Sequence, residues 1–180
     1  MTFKQYIQSV DACGPAVEWA GNKTIEEVVA TCHRGDWLLW LAKKCDIGLQ
    51  PLTLAKGHCA NTVRHLMKDE RSIRAVDVAI AFAEGKATRE ELDAAAAAAY
   101  AAAYDAAAAA YAAAAAADAA AAAHAAAAAY AAAYAVAAAA AAADAAAAVD
   151  ANRLQTADIC RKYIGDLIVE KVNQILTQTP

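Results

Sequence analysis

From Thr88 to Ile164 the chain contains neither glycine nor proline, and 45 of the 55 residues from Ala94 to Ala148 are alanine. Alanine has the highest helix propensity of any residue, so this segment favours helix throughout. As one straight helix its 77 positions would reach about 115 Å. A compact chain of 180 residues has a radius of gyration of about 16 Å. The segment is therefore expected to fold back on itself as close-packed antiparallel helices. Aspartate caps well and is a poor interior residue, which places the expected breaks at Asp118 and between Asp144 and Asn152.

The remaining sequence reads as short helices. Phe3, Tyr6, Ile7 and Val10 follow helical spacing, and Gly14 with Pro15 restarts the chain. Thr24 with Glu27, and Thr88 with Glu91, have the spacing of capping boxes. Asp36 before Trp37, Leu38, Leu39, Trp40 and Leu41 is expected to be an N-cap, and Gly48 to end that helix. Pro51 is expected to open a helix carrying Leu54, His58, Cys59, Val63, Leu66 and Met67. Asp69 should cap another, holding Ile73, Val76, Val78, Ile80 and Phe82, which Gly85 closes. Leu154, Ile159, Tyr163, Leu167, Ile168, Val172, Ile175 and Leu176 form the apolar face of a C-terminal helix. No alternating β-branched run competes, so the expected fold is all-α. One domain is expected to span 1–180, comprising short helices (1–92), Ala/Tyr-rich helices (93–150) and an amphipathic C-terminal helix (151–180).

Sixteen Lys and Arg against twenty Asp and Glu leave a net charge of −4, which argues against phosphate-driven nucleic-acid binding. Residues 1–10 lack a charged segment preceding an apolar one, so no secretory signal is expected and the location is expected to be cytoplasmic. Cys13, Cys32, Cys45, Cys59 and Cys160 form no CxxC pair, which favours reduced, mostly buried thiols over a disulfide framework or a metal site. Residues 125–143 carry no formal charge, but alanine drives insertion weakly and Asp118 and Asp144 flank the run, so no membrane span is expected. A Gly-rich phosphate loop, HExxH and GxSxG are all absent. No enzyme activity or cofactor is expected.

The stretch ACGPAVEWAGNKTIEEVVATCHRGDWLLWLAKKC, followed by an Ala tract punctuated by Tyr and Asp, resembles the bacterial and phage immunity proteins of the immunity-protein-five-like type. Arg34 to Leu41 carries the most specific part, supported by Glu18, Trp19 and Gly21. The resemblance implies a small all-α, non-catalytic protein that neutralises a toxin or defence component by binding it, as an immunity or anti-defence inhibitor. It transfers no catalytic residue.

Candidate binding residues follow from side-chain chemistry. Trp37 and Trp40 share a helical face with Leu41 and Lys44, and either pack in the core or anchor a partner. Tyr100, Tyr104 and Tyr111 fall within a sector of about 40° on a continuous helix, either as a core seam or as partner-binding rings. Arg64, Lys68 and Arg71 would make an anion cradle at i, i+4, i+7 if their helix were continuous. That cradle, with Tyr rings to stack on a base, motivates the alternative of a protein sequestering a small anionic or nucleotide signal. A solvated helix face is the favoured alternative to the cradle, and packing of this basic region on the acidic Ala segment is a further one. An ice-binding Ala helix is a third reading, though a regular Thr repeat is missing. A long uncovered Ala and Tyr face would favour a homodimer.

Overall fold

A computed structural model describes residues 1–102, 104–105 and 150–178, and all the regular structure in them is helical. The fold is all-α. Five helices come first: α1 (Phe3–Ser9), α2 (Gly14–Ala20), α3 (Ile25–Thr31), α4 (Gly35–Lys44) and α5 (Leu49–Asn61). A 3₁₀ turn (Arg64–Leu66) leads to α6 (Glu70–Ala83). Helix α7 covers residues 89–102 and 104–105. Helix α8 covers 150–160 and runs through a π-helical turn (Arg161–Gly165) into α9 (Asp166–Gln178).

Local chemistry accounts for most boundaries. Thr24 Oγ1 accepts from Glu27 N at 3.3 Å while Thr24 N donates to Glu27 Oε2 at 2.8 Å, and Thr88 with Glu91 repeats the arrangement at the start of α7. A third capping box, Thr2 with Gln5, starts α1. Asp69 caps α6 as expected, accepting from Arg71 N at 2.9 Å. Helices α1, α4 and α6 end alike. Asp11, Asp46 and Gly85 take φ of 63°, 59° and 73°, and the next residue donates back to Ile7, Ala42 and Ala81. These are Schellman endings, and aspartate tolerates the left-handed position better than most side chains.

Three boundaries differ from expectation. Arg34, not Asp36, occupies the N-cap of α4; Asp36 lies in the first turn, where its carboxylate takes two hydrogen bonds from the Arg34 guanidinium. Gly48 does not terminate α4, which stops at Lys44 with the left-handed Asp46 beyond it; Gly48 is the N-cap of α5. Helix α5 also stops at Asn61, so Val63, Leu66 and Met67 lie outside it. Thr62 Oγ1 bonds back to Cys59 O at 2.7 Å and accepts from Asn152 Nδ2 at 2.7 Å, which holds the chain in a turn there.

The last helix forms the centre of the core. Ala157, Cys160, Ile164, Ile168 and Val172 are fully buried, among Phe3, Tyr6 and Ile7 of α1, Val28 and Val29 of α3, and Leu38 and Leu41 of α4. A four-residue repeat drifts by about 40° per step around an α-helix. The wider π turn takes in an extra residue and turns the stripe back, so Cys160, Ile164 and Ile168 all stay inward. This corrects the expected apolar face, since Leu154 and Leu167 are exposed. Arg161 reaches from the π turn to the carbonyls of Cys32 (2.7 Å) and Val29 (3.4 Å), covering the end of α3.

Two glycines permit close helix contacts. A Cβ on Gly57 would lie 2.9 Å from Ile80 Cγ1, so α5 and α6 approach nearly backbone to side chain. A Cβ on Gly35 would lie 2.5 Å from Thr156 Oγ1. The expected breaks at Asp118 and Asp144, and the folding back of the Ala tract, lie outside the described residues, whereas Asp150 to Asn152 are already helical. Among the described residues no helix is long and apolar enough to cross a membrane.

Candidate functional site

Helices α2 and α4 and the loop before α4 bring three rings together. Trp19 lies 5.9 Å from Trp37 between ring centroids, and His33 meets both edge-on at 5.7 and 6.0 Å. Each tryptophan carries a cation. Lys23 Nζ sits 4.5 Å from the Trp19 ring, Arg34 Cζ 4.8 Å from Trp37, and Lys44 Nζ 5.6 Å from Trp40. Trp40 and Lys44 are spaced i, i+4 within α4, so helical spacing alone stacks them, whereas Lys23 lies beyond the end of α2 and reaches back over Trp19. Lys23 also donates to Trp19 O, while Asp36 binds Arg34 at 2.6 and 2.8 Å, fixing the guanidinium over its ring. That same guanidinium holds the Asp36 carboxyl below its ordinary pKa.

Between these rings is an apolar slot of about 40 Å³, lined by Ala16, Trp19, Cys32, Trp37, Trp40 and Leu41 among others, none of them charged. A single water needs about 10–15 Å³ on this scale. The slot therefore has room for the end of one small aliphatic side chain, whereas sites for small-molecule ligands run to about 300–1,000 Å³. Burial pushes the Cys32 thiol up and the Cys45 thiol up to about 11, which leaves both protonated near neutral pH. Trp37 and Trp40 are half-buried, packing against the core while lining the slot.

The tyrosines fall differently. Tyr100 and Tyr104 on α7 are 79% and 83% exposed and stand outside the core that the described residues form. Tyr111 lies outside the described residues.

The expected anion cradle does not form. With α5 ended at Asn61, Arg64 sits in the 3₁₀ turn, Lys68 in an extended connection and Arg71 on α6, so no single helical face carries them. Carboxylates also occupy both guanidinium groups: Arg64 binds Asp77 through two contacts, and Arg71 binds Asp69 (2.7 Å) and Asp105 (2.8 Å). The Arg71 guanidinium, with its own backbone N–H, holds the Asp69 carboxyl down to about 2. The Arg71–Asp105 pair links the basic region to the acidic start of the Ala segment. A cleft of about 350 Å³ between α6 and α7 is lined by Arg71, Arg74, Val78, Glu91, Ala95 and Ala98. Arg74 is exposed there, facing a space that also contains the Glu91 carboxylate.

Among the described residues no group of three or more His, Cys, Asp or Glu side chains could hold a metal ion. Compared with known protein families, characterised proteins and solved structures, the chain matches none. Sequence reasoning placed Trp37, Trp40 and Lys44 on one face but missed Trp19 and His33 as its partners. The spacing of Trp19 and Lys23 gave no helical signal, because Gly21 ends α2 between them, and the Trp19–His33 contact arises only once α2 and α4 pack together.

Proposed function

We propose that this chain is a non-catalytic inhibitor of the immunity or anti-defence type, which neutralises a toxin or defence effector by binding it through the Trp19, Trp37 and Trp40 face. The observation that carries this reading is the apolar slot among cation-capped tryptophans. Its volume suits one anchoring side chain of a protein, and tryptophans packed at the edge of a core are rigid enough to receive it. The exposed Tyr100 and Tyr104 offer a second aromatic surface on α7. The resemblance around Arg34 to Leu41 supports the same assignment, because this segment supplies four of the slot residues, Trp37, Leu38, Trp40 and Leu41.

The test is affinity capture from host cells, followed by titration of the captured protein and its expression as a growth inhibitor. The expected result is one protein bound in a fixed ratio, held at least about tenfold more weakly by Trp37→Ala, whose toxicity the present chain relieves. A second reading, sequestration of a small anion, is favoured by the size of the α6–α7 cleft and the exposed Arg74. Recovery of a nucleotide-sized anion instead of a protein, with binding lost in Arg74→Ala and kept in Trp37→Ala, would sink the inhibitor reading.

A further inference from the structure

Helices α5 and α8 lie side by side, and their polar and aromatic contacts fix the register. Asn152 reaches Thr62, Cys59 Sγ lies 3.7 Å from Thr156 O, and the His58 and Tyr163 rings stack in parallel at 4.6 Å. As the number falls along one helix it rises along the other, so the two run antiparallel. Within this ladder Cys59 Sγ and Cys160 Sγ face each other at 3.9 Å, 101 positions apart in sequence. Cys59 is half-buried, while Cys160 is fully buried with its thiol 3.5 Å from Gly35 O.

We infer that Cys59 and Cys160 form a redox-active dithiol that closes reversibly to a disulfide between α5 and the C-terminal helix when a peroxide reaches Cys59. The half-buried thiol attacks and the enclosed one resolves. Cys59 thiolate displaces water from hydrogen peroxide, after protonation of the departing hydroxide, and becomes a sulfenic acid. Cys160 sulfur then attacks Cys59 sulfur and expels a second water. The two thiols together lose two electrons and two protons, and the peroxide is reduced to two waters. A thiol reductant reverses the change by exchange.

The division of labour follows from the surroundings. Hydrogen bonding from the Cys160 thiol lowers the pKa of Cys59, while the same partnership and burial push Cys160 up. A disulfide requires sulfurs about 2 Å apart, so closure needs side-chain rotation and a small approach of α5 to α8. Side-chain contacts on both sides of the pair already hold the helices in register for it. The remaining cysteines differ, since Cys32 and Cys45 are buried and Cys13 is exposed.

The reduced full-length protein carrying Cys13→Ser, which removes the exposed thiol, is treated with hydrogen peroxide and measured intact and after digestion. The expected product is a monomer lighter by two hydrogens, with the Cys59 and Cys160 peptides joined and restored by dithiothreitol. Adding Cys160→Ala should leave a Cys59 sulfenic acid that dimedone traps, and adding Cys59→Ser should leave Cys160 unmodified. Should the Cys160→Ala protein fail to fold, the joined peptides and the Cys59→Ser result decide the matter. Overoxidation of Cys59 with no joined peptide, or cross-linking through Cys32 or Cys45 instead, would overturn the proposal.

Discussion

Gly35 and Thr156 meet where no side chain fits between them: a Cβ on Gly35 would stand 2.5 Å from Thr156 Oγ1 and 2.6 Å from the Thr156 carbonyl carbon. The first atom belongs to a side chain that can rotate, but the second belongs to the backbone of α8. Gly35→Ala therefore requires α4 and α8 to separate, and is expected to cost about 3 kcal/mol or more. In a chain of this size that corresponds to a fall in Tm of about 6–12 °C. Gly48→Ala is the milder control, because the nearest atom to its Cβ position is Pro51 Cδ at an ordinary 3.8 Å. Its Tm should fall by less than that of Gly35→Ala.

Acid should weaken the fold through its paired carboxylates. Asp69 titrates at about 2 in the folded chain, and Asp36 and Asp77 are lowered by their arginine partners. The unfolded value is about 3.9. Groups depressed in this way contribute stability that is fully present above about pH 4 and lost as pH falls toward 2, since the unfolded chain takes up the protons first. Denaturant titrations between pH 5 and pH 2 should show this loss. Asp69→Asn should flatten its low-pH part, and added salt should reduce the effect because these pairs are exposed.

Arg161→Met should destabilise the protein by about 1.5–3 kcal/mol, the range for hydrogen bonds made by a charged group. The methionine keeps much of the apolar stem but leaves the Cys32 and Val29 carbonyls without the guanidinium. A Tm unchanged from the parent chain would mean that water serves the end of α3 equally well.

Tyr100→Ala and Tyr104→Ala should each leave stability within about 0.5 kcal/mol of the parent, because substitutions away from buried features have little effect. Both rings stand out from α7. If they belong to the proposed interface, target binding should weaken in the double variant while its Tm holds. A large fall in Tm would return them to a packing role.

Signals confined to a few consecutive residues were legible in the sequence. The Thr24 and Thr88 capping boxes, the Asp69 cap and the Gly85 ending each depend on side chain and backbone within about one helical turn. Asp36 misled because a carboxylate before an apolar run suits a cap, yet Arg34 two residues away competes for it with two charged donors. Gly48 misled because the left-handed position that ends α4 is filled by Asp46. The Arg64, Lys68, Arg71 cradle assumed an unbroken helix, and the Thr62–Asn152 bond that helps hold the break joins residues 90 positions apart. For the same reason half of the candidate slot was visible: Trp37 and Trp40 share a helix, whereas Trp19 arrives by tertiary packing.

The central place of Ile164, Ile168 and Val172 also fixes when this molecule can first fold during its own synthesis. A ribosome adding about 5–20 residues per second spends about 4–16 s between residue 92 and residue 172. Throughout that interval the emerged N-terminal helices lack the stripe that fills their shared interior. The nascent chain must stay soluble with Phe3, Ile25 and Leu38 lacking the partners that later enclose them, while the alanine segment is still leaving the exit tunnel. Assembly therefore waits until this stripe has emerged, and a ribosome stalled within the tract would hold a chain with an unfilled core.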